Sequence, residues 1–403
     1  MQIALVHDWL VSARGGEKCL DALCRRFPDA KLFTLLHRPG ATTAAIERMS
    51  IQTSPLQFVP GISRIYRYLL PLMPAAIESF RLPQDLDLVV SCSHAVAKGI
   101  VVPDGTPHVC YCFTPMRYAW ALRDDYFETP AAGGRSKRAS RLTAFLRNHL
   151  LDRMCEWDRS ASDRVTNFVA ISRTIQDRIR DCYGRDSSVI YPPVNVEFYT
   201  PTDLAREDFY LCVSALVPYK RVDLAIDACN RLGRRLLIVG AGPLQKRYAA
   251  QAGPTVQLLG WRSDTVIRDL LRRCRALIFP GFEDFGIVPV EAQACGAPVV
   301  AYERGGATET VLAADGSNAC TGIFFREQTV ECLCEALLEL ESGSIALCPR
   351  AAREQALRFS AHRFEREITA FLRSVVDGSA TAGDRHSQTA KPVEPARRRA
   401  AVA

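Results

Sequence analysis

The sequence predicts an α/β chain of two Rossmann-like domains, and three observations lead there. Short apolar runs alternate with amphipathic segments along most of the chain, as parallel strands joined by crossover helices do. The alternation restarts after "YPPVNVEFYTP", near residues 192–205, so two sheets are expected rather than one. The length of 403 residues also suits two domains, because single cores stop growing at about 250–300 residues.

The first half opens with the strand "QIALV", followed by a glycine-containing loop and amphipathic helix in "HDWLVSARGGEKCLDALCRRF". Further strands are "KLFTLL", "LDLVVSCS", "HVCYCF", "NFVAIS" and "SVIYPP", with helical patterns after Ser172 and before Arg164. In the second half, "FYLCVS", "RRLLIVG", "VQLLG" and "ALIFP" read as strands. Helices fall at "RVDLAIDACNRL", "LQKRYAAQ" and "DTVIRDLLRRC", the last with Ser263 at its N-cap. Segments 328–341 and 349–375 read as helices that finish or brace the second domain. The expected layout is residues 1–195, residues 196–376 and a disordered tail at 377–403, which lacks apolar periodicity. "ETPAAGGRSKRASR" reads as a flexible basic loop in the first domain.

Hydrophobic residues at 48% and charged residues at 24% are ordinary for a globular chain with a core in each half. A net charge of +7 suits a phosphorylated ligand or an anionic membrane surface better than dedicated nucleic-acid binding. The 15 cysteines include no CxxC pair and no Cys/His cluster at zinc spacing. Reduced, buried thiols are expected, and no metal or other cofactor. "MQIALVHDWL" shows no basic leader and no apolar run reaches bilayer length, so a cytoplasmic location is expected.

The stretch "FEDFGIVPVEAQACGAPVV" at 282–300 carries two carboxylates, Glu283 and Glu291, with seven residues between them. A helix beginning at Gly286–Pro289 tolerates proline in its first turn and stops at Gly296. Asp284 and the free amides of Phe285, Gly286 and Ile287 then surround a helix N-terminus, where N–H donors and partial positive charge receive phosphate. Glu283 can accept from sugar hydroxyls there, and Glu291, nearly two turns on, can reach a ribose. Acids near a helix start also oppose the dipole as simple caps. Position at the carboxyl end of the strand "ALIFP" favours a ligand site.

This segment resembles the EX7E motif of retaining glycosyltransferases of family 4, which have the GT-B fold. "YLCVSALVPYKRVDLAIDA", "LLIVGAGP", "VQLLGW" and "AYERGGATETV" stand in that family's order and spacing. "HDWLVSARGGEK", "SCSHAVAKGI", "CYCFTPMRYAW" and "YGRDSSVIYPPV" resemble a bacterial branch holding GDP-mannose-dependent mannosyltransferases of polysaccharide assembly. The resemblance covers roughly residues 1–375.

It implies a catalytic group of Glu283, His94 and Lys220, with Glu283 holding sugar hydroxyls, His94 contacting the donor sugar and Lys220 meeting the diphosphate. Ala215 stands where the family usually has an arginine, five residues before Lys220; Arg221 either supplies that second charge or faces solvent. Gly240 and Gly242 form either a plain tight turn or the base-and-phosphate side of the cleft. Gly15 and Gly16 are expected to let backbone approach the donor phosphates, and Asp8, Lys98 and Arg117 to lie on the acceptor side. Phe113 occupies a position where the related pattern often reads histidine. The implied partners are a nucleotide-sugar and a saccharide or lipid-linked acceptor.

"ISRIYRYLLPLMPAAIESFRL" and "KRASRLTAFLRNHLLDRM" either lie on an anionic membrane or pack into the first domain. A UDP-hexose donor is the alternative within the fold. An NAD-dependent oxidoreductase or epimerase would need a GxGxxG loop after the first strand, and "HDWLVSARGGEK" lacks that spacing.

Overall fold

The computed structural model describes every residue except 13–14, 121–140, 204, 314–319 and 383–403. Nearly all of the expected basic loop and most of the expected tail therefore lie outside the described residues. The first sheet contains β1 (Ile3–His7), β2 (Lys31–Thr34), β3 (Ser50–Thr53), β4 (Leu88–Ser93), β5 (His108–Cys112), β6 (Asn167–Ala170) and β7 (Ser187–Val189). Its order is β3-β2-β1-β4-β5-β6-β7, with every pair parallel. The second sheet contains β8 (Tyr210–Val213), β9 (Leu236–Val239), β10 (Val256–Gly260), β11 (Ala276–Phe279), β12 (Val299–Tyr302) and β13 (Gly322–Phe325). Its order is β10-β9-β8-β11-β12-β13, again all parallel.

Central strands β1, β4 and β5 are buried at every position, which is why they read as unbroken apolar runs: helices cover both faces of the sheet. Edge strand β3 alternates exposed and half-buried residues, so its sequence "SIQT" gave no apolar signal. β12 and β13 also join the sheet beyond the strands expected from sequence. Helix Arg173–Tyr183 starts at Ser172, whose Oγ accepts from the Ile175 amide at 3.1 Å, and ends at left-handed Gly184.

The two domains share apolar packing. One core joins Leu5 and Tyr111 of the first sheet to Leu277 and Phe285 of the second domain. Helix Pro349–Leu357 braces the second domain as expected, with Arg353 donating to the Ala294 carbonyl. The last helix, Ala361–Ala382, does otherwise. Its Phe364 packs edge-on against Tyr111 of β5, with ring centroids 5.6 Å apart, so it crosses back to the first domain and continues past residue 377, where the tail was expected to begin.

In each sheet the strand order reverses beside the first strand, between β1 and β4 and between β8 and β11. Connections leave such a switch point in opposite directions and open a crevice at the carboxyl ends of the strands.

Candidate active site

The second-domain half of the site is built where two loops touch. Lys220 follows β8 in the turn Pro218–Lys220, and Glu283 follows β11. A Cβ on Gly281 would lie 2.9 Å from the Lys220 Cα, and one on Gly305 would lie 2.3 Å from the Glu283 carbonyl oxygen. Only glycine permits that approach. Gly306 then donates its amide to the Glu283 carbonyl at 2.8 Å. The result sets Lys220 Nζ 2.5 Å from Glu283 Oε1 with both side chains partly exposed. Gly286, left-handed at φ 83°, turns the chain into helix Ile287–Ala294. Arg221 is the one non-glycine residue with positive φ among the described residues, at 49°. Its guanidinium folds back onto Asp223 at 3.2 Å; such backbone strain concentrates at ligand sites.

The first-domain half rests on Asp8. Its carboxylate accepts from four successive amides, those of His94, Ala95, Val96 and Ala97, at 2.7, 3.1, 2.6 and 2.7 Å. His94 Nδ1 stands 2.9 Å away. Burial pushes the Asp8 carboxyl up, but His94 and these amides outweigh it and hold the group well below the usual carboxylate range. A neutral His94 ring carries its proton on Nδ1 and presents Nε2 as an acceptor. The ring lies edge-on to Trp9 at 4.6 Å. Beside it, His7 is buried with neither ring nitrogen hydrogen-bonded, and burial lowers its basicity.

Four contacts tie the halves together. A Cβ on Gly15 would meet the Ile287 side chain at 3.0 Å, which places the glycine loop against the start of the EX7E helix; Gly16 sits equally tight on Phe113. Lys18, one turn further along the first helix, donates to Glu291 at 3.0 Å. Burial raises the Glu291 carboxyl and Lys18 offsets only part of that, while Glu291 holds the Lys18 ammonium above its ordinary value despite its own desolvation. Asp284 is gripped by Arg117 and by Arg178, the latter at 2.9 Å. Glu309 accepts from the amides of Arg173 and Thr174 at 2.8 and 3.2 Å, so the second domain caps a first-domain helix.

Several expected residues do other work. Asp8, expected on the acceptor side, is fully buried and positions His94. Lys98, expected beside it, is buried against Asp158 and lies 5.2 Å from the Tyr183 ring, an internal ion pair. Arg117 reaches across the cleft to Asp284, and that salt bridge occupies the carboxylate expected to meet the donor. Phe285 is buried between Tyr191 and Phe359 and offers a donor only its backbone. Gly240 and Gly242 are required by packing: a Cβ would come within 1.8 Å of the Ser214 oxygen and 2.4 Å of the Leu216 oxygen. Lys18, Arg178 and Glu309 were not foreseen. Each has a charged or backbone partner more than 100 residues away in the other domain, and no local pattern announces that.

Residues 202–357 match the family described as glycosyl transferases group 1. That match covers the second domain, and the two parallel sheets have the GT-B arrangement. The chain is 32% identical over 185 residues to an uncharacterized glycosyltransferase of Methanocaldococcus jannaschii, covering 44% of this chain and 50% of that one. It is 35% identical over 229 residues to a GDP-mannose-dependent monoacylated alpha-(1-6)-phosphatidylinositol monomannoside mannosyltransferase of Corynebacterium glutamicum, covering 49% of this chain and 58% of that one. The chain spans about half the length of the curated relatives it matches. The crystal structure of HepE from Anabaena, in complex with UDP and glucose, superposes with a TM-score of 0.67 at 20% identity, over 93% of this chain and 100% of that one. At that identity it establishes the fold alone.

Proposed function

We propose that this protein is a retaining glycosyltransferase that moves mannose from GDP-mannose to a saccharide acceptor, lipid-linked, in cell-surface polysaccharide synthesis. The observation that carries the reading is the Lys220–Glu283 pair, 2.5 Å apart at a sheet switch point and immediately before a helix N-terminus. A diphosphate entering there exchanges the Glu283 carboxylate for its own oxygens on Lys220 and meets the free amides of the helix start. Glu283, released, accepts from the sugar hydroxyls. His94, fixed by Asp8, offers Nε2 to the same sugar from the opposite domain.

Stabilisation of the leaving diphosphate by Lys220 and these amides supplies the electrostatic part of catalysis. The departing phosphate oxygen takes the acceptor's proton on the face where the new bond forms, and the anomeric configuration is retained. Lys220, Arg221 and the helix end meet the diphosphate charge, so turnover is expected to survive EDTA.

The name of the Corynebacterium relative supports mannose and GDP; the UDP and glucose in the Anabaena structure support a UDP-hexose as second reading. Calorimetric titration with GDP-mannose, UDP-glucose and NAD, repeated on Glu291→Ala, separates them. GDP-mannose binding that weakens in the variant supports the reading, UDP-glucose binding moves the donor, and NAD binding alone removes the transferase. Among the described residues no helix is long and apolar enough to cross a membrane. Phe58, Tyr68 and Leu72, at 84%, 78% and 54% exposure, expose apolar surface along one segment, 55–72, of the first domain. We assign that segment to peripheral contact with the inner face of an anionic membrane, tested by salt-sensitive sedimentation with vesicles.

A further inference from the structure

We propose that the protein has a second anion site, a cavity beside the interdomain linker that takes a diphosphate-bearing ligand. The cavity measures about 860 Å³ and none of Lys220, Glu283 and His94 lines it. That volume lies in the range of small-molecule sites, about 300–1,000 Å³. Its walls come from the start of helix Arg173–Tyr183, the short helix Ala307–Thr310 carrying Glu309, and the last helix, so an occupant touches both domains at once.

Charge decides what the occupant is. Four arginines line the cavity, Arg173, Arg358, Arg363 and Arg366. Its carboxylates are already spoken for. Glu309 receives the amides of Arg173 and Thr174, the Thr174 hydroxyl and the Tyr191 hydroxyl. Glu367 pairs with Arg363 at 2.7 Å, and Asp177 lies 3.7 Å from Arg180. Arg173, Arg358 and Arg366 have no ion pair among the described residues, and Arg363 keeps a buried Nε without a hydrogen-bond partner.

Three guanidinium groups without an ion pair, set against Glu309, which meets only neutral donors and keeps its charge, leave an excess of two positive charges around one cavity and call for more than a single negative charge. Guanidinium forks match phosphate oxygens in pairs, and a diphosphate supplies both the charge and the acceptors. The floor is aromatic: Tyr191 and Phe359 meet edge-on at 5.2 Å, with the Arg363 guanidinium 5.6 Å above Tyr191. It suits an apolar or sugar body attached to that diphosphate. Two sources share this chemistry, the polyprenyl diphosphate end of a lipid-linked acceptor and a soluble nucleoside diphosphate.

The test is calorimetric titration of inorganic pyrophosphate into the full chain carrying Lys220→Ala, which weakens the donor site, compared with the same chain also carrying Arg173→Ala and Arg366→Ala. At least tenfold weaker binding in the second protein is expected. Equal affinity, or no binding to the first protein, overturns the proposal. Lys220→Ala and Arg173→Ala/Arg366→Ala are read separately, so failure of the donor-site reading leaves this comparison intact. Arg326→Ala/Arg350→Ala, which removes two arginines 88% exposed elsewhere, controls for general charge and is expected to bind as before; an equal loss there overturns the site. Far-UV spectra and melting curves confirm folding. Geranyl diphosphate binding more tightly than pyrophosphate assigns the lipid source, and ADP doing so assigns the soluble one.

Discussion

A single oxygen of Asp8 holds His94 twice, through its backbone amide at 2.7 Å and its ring Nδ1 at 2.9 Å. The other oxygen takes the amides of Val96 and Ala97. One carboxylate at the end of β1 thus shapes the loop after β4 and fixes the only ring nitrogen of His94 left to face a ligand. In the proposed reaction Asp8 is a positioning residue and His94 is the residue offered to the sugar.

Asp8→Asn separates these two jobs. An amide keeps one acceptor oxygen, so at least two of the loop amides lose a charged partner. At about 1–3 kcal/mol for each buried donor left unmade, a loss of about 2–6 kcal/mol is expected at pH 7. The sign with pH follows from the depressed carboxyl. Its contribution is present above the unfolded value of about 3.9 and is lost as pH falls from there toward the lower folded value. Urea midpoints at pH 7, 5 and 3.5 should show a constant gap between wild type and variant at the first two and a smaller one at the last. A gap unchanged at pH 3.5 would contradict the assignment.

Lys220→Ala and Glu283→Gln should fail differently. In the proposed site Lys220 would meet the diphosphate in ground state and transition state, so its loss is expected to raise the donor Kd and lower kcat. Glu283→Gln keeps the shape and much of the hydroxyl bonding. A drop of about 10²–10³ in kcat with a donor Kd within a few-fold is expected, the size of losing one preorganised electrostatic contact. Stopped product-release assays beside calorimetry give both quantities. Glu283→Gln turning over at wild-type rate would remove it from the site.

The parts of this molecule legible in its sequence are those whose physics is local. β1, β4, β5, β8, β9 and β11 are apolar on both faces, and the Gly286–Pro289 helix start follows from residue types alone. β3 escaped notice because an edge strand needs little apolar surface. Lys98 looked like a ligand residue because its sequence neighbours gave no sign of Asp158, sixty positions away. Gly240 and Gly242 were readable either as a tight turn or as a phosphate loop, and the approach of the β8 loop demands glycine at both positions. Asp284 was correctly placed at a helix end, but its partners Arg117 and Arg178 belong to the other domain. What the sequence concealed was the pairing of charges across the cleft.

Asp284 offers the cleanest test of that pairing. It is buried, and two guanidinium groups from the first domain converge on it. Burial and the neighbouring Arg117 already lower the Arg178 pKa. Asp284→Ala leaves two cations facing each other and should open the cleft. Small-angle scattering is expected to show a larger radius of gyration, and 1 M salt should narrow the difference by screening that repulsion. An unchanged radius in low salt would show that the shared apolar core alone holds the domains.

The Lys18–Glu291 pair makes the last prediction. Glu291 is nearly inaccessible, whereas the Lys18 side chain keeps 39% exposure. Breaking a fully buried pair costs about 3–5 kcal/mol; with one partner half in water, about 1–2 kcal/mol is expected for Lys18→Ala. The Glu291 carboxyl is raised by burial, so its stabilising contribution is full below its unfolded value of about 4.3 and is lost as pH rises through the higher folded value. Lys18→Ala removes the charge that offsets this, and the loss should therefore be larger at pH 8 than at pH 5. Adding Glu291→Gln to Lys18→Ala removes the buried charge and should recover most of the stability at pH 8 while leaving donor affinity low. Equal penalties at both pH values, or no recovery in the double variant, would mean that Glu291 is held by something other than Lys18.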